Sequence, residues 1–247
     1  MRQRVIAHRG HKTEAPEQTI AAYRLAVELG AEMIEADVQL SRDGVLVMMH
    51  DLTLERTTSG RGRVAELDWA EIATLDAGSW FDARFAGERV PRLDDLFALA
   101  DEAGIALCLE AKGATSADHL VVALRIGEEL KRRGRLERDA VASFEHGALG
   151  EAAARIPGLR TAPDRLPERG PSTAGELLAQ ARAVGAPVIQ HHFADLVPEV
   201  VAEVQAAGVE VWAWPPTTAA EVAQAVASGA AGVMGDDVRV IAAALGR

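Results

Sequence analysis

Cysteine is almost absent from this chain: Cys108 is the only one among 247 residues. No disulfide can form within it, so a disulfide-stapled scaffold is excluded and a reducing compartment fits. Positive charge is also short. Lys and Arg total 26 against 37 Asp and Glu, a formal −11. That balance argues against a nucleic-acid footprint or an anionic membrane surface as partner. It leaves room for a small anionic ligand, because a metal ion and one or two local cations decide such a contact. Long apolar runs are missing as well. Nothing approaches the ~20 consecutive apolar residues needed to span a bilayer, and no apolar leader with a cleavage site precedes the first strand pattern. The expectation is a cytoplasmic protein without stable membrane insertion. Nothing in the sequence reports an oligomeric state.

What is present is an ordinary globular composition, 49% hydrophobic and 26% charged, with a repeated rhythm. A helical run closes on glycine and an apolar strand follows within a few residues. This happens at Gly30, Gly104, Gly185, Gly208 and Gly229. Strand candidates are residues 5–7, 33–40, 105–110, 140–144, 159–162, 188–190, 209–214 and 232–234. Helices are expected at 16–30, 117–133, 173–184, 198–207 and 219–227. Strands alternating with helices imply a parallel sheet with helices outside it. Eight units in about 250 residues favour a closed (β/α)8 TIM barrel over an open sheet, and a single domain, 1–247. Two stretches break the rhythm. Residues 51–93 are turn-rich, with one short helical run near 68–75, and read as a small insertion after the second strand. Residues 163–171, after the fifth strand, read either as a wall of the substrate entrance or as a plain surface loop.

The richest stretch is Met33-Ile-Glu-Ala-Asp-Val-Gln-Leu40, followed by the turn Ser41-Arg-Asp-Gly44 and a run ending in His50-Asp51. Side chains alternate along an extended chain, so Met33, Glu35, Asp37 and Gln39 share one face. Two acids on a core strand are costly unless their charge is compensated, by a hard divalent cation or by an arginine. In a (β/α)8 barrel the working residues sit at the C-terminal strand ends. That rule gathers His8 and Arg9, Glu35 and Asp37, His50, and Glu110 and Lys112 around one mouth. His8 and Arg9 are adjacent, so one of them must leave the strand pattern. Glu35, Asp37 and Glu110 suit one Mg²⁺ or Ca²⁺. Arg9 and Lys112 suit phosphate contacts, and His8 and His50 suit acid and base roles near neutral pH. Plainer readings stand beside these: a hydrogen-bonded structural histidine, or a simple Glu110–Lys112 ion pair. His191-His192 reads as structural because neighbours on a strand face opposite ways. Trp212 reads as packing, Trp214 as packing or a pocket wall, and Asp236-Asp237 as the start of the last helix.

These residues stand in motifs that resemble the glycerophosphodiester phosphodiesterase family. The motifs are Ala7-His8-Arg9-Gly10, Pro16-Glu17-Gln18-Thr19, Glu35-Ala36-Asp37-Val38, Asp43-Gly44, His50-Asp51 with Arg56-Thr57-Thr58, Gly78-Ser79-Trp80-Phe81, Pro91, and Leu109-Glu110-Ala111-Lys112. The resemblance is dense up to Lys112 and weaker beyond it. It implies a (β/α)8 barrel with an insertion at 51–93, and metal-dependent hydrolysis of glycerophosphodiesters to glycerol 3-phosphate and an alcohol. By position, His8 and His50 match the catalytic histidines, and Glu35, Asp37 and Glu110 the metal ligands. Arg9 and Lys112 match the phosphate contacts, Glu17 matches the glutamate of a shared motif, and Glu17 and Trp214 are candidate pocket residues. The family scheme allows a glycerol hydroxyl to attack first, giving a cyclic phosphate, or water to attack directly. This chain departs from the family at Gln18, where Asn is usual, at Trp214-Pro215-Pro216-Thr217, where Trp-Thr-Val-Asn is usual, and at Gly235-Asp236, where Thr-Asp is usual. Head-group preference is therefore less secure than the chemistry. Two other readings stay open: a lysophospholipase-D-like phosphodiesterase, and a non-catalytic barrel that binds phosphate ligands.

Overall fold

The computed structural model describes residues 2–165 and 170–247. Eight parallel strands close on themselves: β1 (Arg4–His8), β2 (Met33–Leu40), β4 (Ala106–Ala111), β5 (Ala140–Ser143), β6 (Thr161–Arg165), β7 (Val188–His192), β8 (Glu210–Trp214) and β9 (Gly232–Gly235). Closure is carried by β1, which pairs in parallel with both β2 and β9. The short strand β3 (Leu46–Met48) runs antiparallel to β2 and stands outside the ring. The fold is the expected (β/α)8 TIM barrel with one added strand.

Alternation divides the apolar residues into two cores. Ile6, Met33, Cys108, Ala140, Ala142, Ala162, Val188, Trp212 and Met234 fill the inside of the barrel. Residues one step away in sequence, such as Val5, Ile34, Leu107, Leu109, Val141 and Ile189, pack outward against the helices. Those helices are α1 (Ile20–Glu28), α3 (Leu93–Ala103), α4 (Ser116–Arg132), α5 (His146–Arg155), α6 (Ala174–Val184), α7 (Pro198–Ala206), α8 (Ala219–Ala227) and α9 (Val238–Ala244), with a one-turn α2 (Trp69–Ile72) in the excursion after β3. Capping boxes start α4, α6 and α8, where Thr115, Thr173 and Thr218 exchange hydrogen bonds with Asp118, Glu176 and Glu221. Gly104 and Gly185 end α3 and α6 in the left-handed region, φ +69° and +63°. Only glycine holds that conformation without a Cβ penalty, which explains the helix–glycine–strand rhythm.

Two expectations are corrected. The first helix does not start at Pro16. Residues 16–18 form a turn, and Thr19 caps α1 by accepting from the Ala22 N–H. The strand expected to end at Ala162 runs on to Arg165, so Pro163, Asp164 and Arg165 belong to β6 and not to a loop; residues 166–169 of the expected loop lie outside the described residues. The stretch 51–93 is turn-rich, and its Leu54, Val64, Ile72, Ala77 and Val90 join Val47 and Met49 in a small core. Among the described residues, no helix is long and apolar enough to cross a membrane.

Candidate active site

The barrel mouth gathers its acids by register. Asp37 on β2 pairs with Glu110 on β4, and Glu35 pairs with His8 on β1. All of these side chains face inward, one or two steps above the apolar filling. Glu35, Asp37 and Glu110 are buried, and one oxygen from each lies within 4.8 Å of the others. Lys112 reaches Asp37 Oδ1 at 3.0 Å and Glu110 Oε1 at 2.7 Å, and Arg9 Nε reaches Asp37 Oδ2 at 3.0 Å. The simple ion pair of Glu110 with Lys112 is thus present, as one edge of a larger cluster.

Arg9 gets there by leaving the strand, as adjacency with His8 requires. Its φ is +59°, and Gly10 follows at +86°. A Cβ on Gly10 would stand 2.8 Å from the Ala22 backbone, so the turn must be glycine. The Arg9 N–H donates to the Glu35 main-chain oxygen at 3.0 Å, and the loop is pinned beyond it by the Val238 N–H donating to His11 Nδ1 at 3.1 Å. Gln18 is a second left-handed residue, φ +60°. Its Nε2 donates to Asp37 Oδ2 at 2.7 Å, and its Oε1 accepts from the Tyr23 hydroxyl. The longer side chain at this departure from the family pattern is therefore used to reach Asp37.

Both histidines are held by a carboxylate on Nδ1. His50 meets Asp51 Oδ1 at 2.6 Å, and Asp51 is in turn gripped by Arg56 through Nε at 2.5 Å. Gln39 fixes the same bend, donating to the carbonyls of Met49 and Asp51 at 2.8 and 2.6 Å. His8 meets Asp236 Oδ1 at 2.7 Å, and Lys12 approaches that oxygen at 3.0 Å. This leaves each Nε2 for the cavity; His8 Nε2 stands 4.0 Å from Glu35 Oε2. Asp236 was expected only to start the last helix. That task belongs to Asp237, which accepts from the Val240 N–H at 3.1 Å. Asp236 instead points into the mouth, two residues beyond the inward Met234. Glu17 stands beside the cavity rather than on its wall. It accepts from Arg9 at 3.3 Å and from Arg56 at 2.9 Å, so it aligns the two guanidiniums.

The electrostatics show why this cluster suits a cation. Burial, then Asp37 and Glu110, push Glu35 well above the carboxylate range. Burial raises Glu110 to about 7, although Lys112 pulls it down. Burial also acts on Asp37, but Lys112 and Arg9 outweigh it and hold the acid below its usual range. Three acids face two cations, so ionising all three together is unfavourable until further positive charge arrives. Asp37 Oδ1 and Glu110 Oε1 are buried, and among the described residues the Lys112 ammonium alone meets them. Hard, convergent, under-satisfied oxygens fit Mg²⁺ or Ca²⁺. A divalent charge reverses the local sign and suits a phosphodiester monoanion. Burial lowers His8 to about 4 despite the Asp236 bond, and burial lowers His50 as well, so burial favours the base form of each imidazole.

The cavity that these groups line has a volume of about 180 Å³. It includes His8, Arg9, Glu35, His50, Glu110 and Lys112 on one side, and Phe144, Asp164, Gln190 and Trp214 on the other. Trp214 thus lines the pocket, and Trp212 is buried in the barrel filling. His191 pairs with the Ser172 hydroxyl at 3.2 Å, away from the site. Asp164 escaped the sequence reading because the strand was ended at Ala162. The usable signal was alternation: Asp164 follows Ala162 as Glu110 follows Cys108.

The sequence model of the "Glycerophosphoryl diester phosphodiesterase family" matches residues 8–240. The chain belongs to that family. It is a phosphoric diester hydrolase by membership, and the match spans nearly the whole chain. A glycerophosphodiester phosphodiesterase of Caldanaerobacter subterraneus subsp. tengcongensis is 34% identical over 241 residues, 96% of this chain and 95% of that protein. Among solved structures, an Oleispira antarctica phosphodiesterase in complex with the product sn-glycerol-3-phosphate superposes with a TM-score of 0.86 at 27% identity, covering 99% of this chain and 97% of that one. The glycerophosphodiester phosphodiesterase of Agrobacterium tumefaciens gives 0.82 at 28% identity, covering 98% and 99%.

Proposed function

We propose that this chain hydrolyses glycerophosphodiesters to sn-glycerol 3-phosphate and an alcohol, working as one domain in the cytoplasm. The observation that carries the reading is the convergence of Glu35, Asp37 and Glu110 within 4.8 Å, beside two imidazoles whose Nδ1 atoms are each fixed by an aspartate. Those three acids would hold one divalent cation, Mg²⁺ or Ca²⁺, which when bound supplies Lewis-acid stabilisation of phosphoryl oxygen charge. Arg9 and Lys112 bind the non-bridging oxygens. His8 and His50 divide the proton traffic at Nε2: the neutral one takes the proton of the attacking hydroxyl, and the other, which takes up a proton beside the bound phosphate anion, gives it from Nε2 to the leaving alkoxide. Asp236 and Asp51 keep the tautomers that present Nε2 as the working nitrogen. Glu17 and Arg56 act behind them by holding Arg9 and Asp51 in place. The attacking hydroxyl is either one from glycerol, through a cyclic phosphate, or water.

A head-group panel assayed for sn-glycerol 3-phosphate, with Mg²⁺ or Ca²⁺ added, tests this reading. Turnover of at least one glycerophosphodiester supports it. Binding without release of sn-glycerol 3-phosphate favours a non-catalytic phosphate-binding barrel. A second reading has one observation in its favour. An apolar groove lined by Leu40, Leu52, Val121 and Val122 borders Lys112, and would seat an acyl chain. Lysophosphatidylcholine, compared with glycerophosphocholine by choline release, separates it: preference for the lysolipid makes the enzyme lysophospholipase-D-like.

A further inference from the structure

Two polar atoms on the far wall of the cavity have no partner, and the reaction scheme uses neither. Asp164, on β6, is 6% exposed. Its carboxylate accepts no hydrogen bond and meets no cation among the described residues, and Oδ2 is fully buried. The strand end itself is held, because His146 Nε2 bonds the Asp164 carbonyl at 2.8 Å. A buried acid without a partner is costly, so its retention points to a partner that arrives with the ligand. The second orphan is Trp214 Nε1. Its ring is locked by edge contacts to Phe144 and His192, with centroids at 5.5 and 5.9 Å. Gln190, between them on β7, already spends its amide on the Ala162 carbonyl at 3.3 Å.

The orphans are complementary, one acceptor and one donor. An ammonium group satisfies only the carboxylate and leaves the indole N–H bare. A hydroxyl donates once and accepts through two lone pairs, so hydroxyl chemistry satisfies both. It also suits the carboxyl in either protonation state. We propose that Asp164 and Trp214 form a hydroxyl-recognition subsite, making phosphodiesters with free hydroxyls on their alcohol portion the favoured substrate class. This rests on the proposed function and adds to it a specificity wall opposite the acids. The hydroxyl can come from glycerol or from a polyol head group.

Three variants and three compounds decide it. Asp164→Ala, Asp164→Asn and Trp214→Phe are assayed on glycerophosphocholine (hydroxyls on glycerol only), glycerophosphoglycerol (hydroxyls at both ends) and p-nitrophenyl phosphocholine (none). Asp164→Ala should lower kcat/KM by about 10- to 100-fold on hydroxyl-bearing substrates, mainly through KM, and Trp214→Phe by about 2- to 10-fold. Asp164→Asn, which keeps an acceptor oxygen, should recover most of the loss. The hydroxyl-free compound should change by less than about twofold in each variant, since only substrates with a hydroxyl lose a bond. Equal losses on the first two compounds place the hydroxyl on glycerol; a loss confined to glycerophosphoglycerol places it on the head group. No loss, or the same loss on the hydroxyl-free compound, overturns the subsite. Thermal melting is the structural control: Asp164→Ala should melt at the wild-type temperature or higher, and a clear drop would mark the acid as structural and overturn the proposal. If the wild type cleaves none of the three, the head-group panel decides the proposed function, and calorimetric binding of the same compounds decides the subsite by the same differences.

Discussion

At the scale of single residues the site is a set of charges that hold one another. Asp37 is the pivot: Arg9, Lys112 and Gln18 all reach its two oxygens. Gln18 also receives the Tyr23 hydroxyl, so Gln18→Ala would strip Asp37 of a donor and leave a buried phenol unpaired. Loss of about 1–3 kcal/mol is expected, read as a lower midpoint in urea unfolding. An unchanged midpoint would mean that the Tyr23–Gln18–Asp37 chain adds no net stability. For His50 the expectation is kinetic. His50→Ala should lose about 10²-fold or more in turnover while melting like the wild type, from the usual size of an acid–base contribution. Near-normal turnover would remove His50 from the scheme. Most of these residues were legible in sequence, because strand alternation and the strand-end rule need only the local pattern. Asp236 and Asp164 are not, for a related reason: each stands two residues beyond an inward apolar residue, Asp164 on the polar end of β6 and Asp236 just past the end of β9. The Asp-Asp pair at 236–237 looked like a helix start, and one half of it is.

At the scale of elements, the glycine-closed helices and apolar strands made the eightfold rhythm readable. The start of α1 did not follow from it. Proline near a helix start is common, yet here residues 16–18 are needed as a turn to aim Glu17 and Gln18, and the cap falls on Thr19. Two tests belong at this scale. Gly10→Ala must force a side chain into the left-handed region and against the Ala22 backbone, 2.8 Å from the new Cβ. A cost of about 2 kcal/mol or more is expected in stability, together with loss of turnover, since Arg9 moves with the turn. Retained melting temperature and activity would show that the loop can rebuild. Thr218→Ala removes one half of the capping box of α8 without altering a residue that lines the cavity. It should cost about 1 kcal/mol and leave kcat/KM unchanged.

For the whole molecule, acid sensitivity follows from paired carboxylates outside the acid cluster. Arg56 holds Asp51 down to about 2, helped by His50. A folded-state value below the unfolded one means that the pairing contributes fully above about pH 4. It is lost as pH falls from there toward 2, where both forms are protonated. Arg56→Ala should therefore flatten the fall of melting temperature across that interval; an identical slope in the variant would show that Asp51 is not the group responsible. The largest claim is that the barrel brings three acids from two strands together to hold a cation beside two imidazoles. Its most direct measurement is calorimetric titration of Mg²⁺ or Ca²⁺ into chelator-stripped protein, wild type against Glu110→Gln. The account predicts one ion per chain for the wild type, sharply weakened in the variant, with sn-glycerol 3-phosphate release appearing only once that ion is bound. Binding that ignores the substitution, or full turnover in excess chelator, would contradict it.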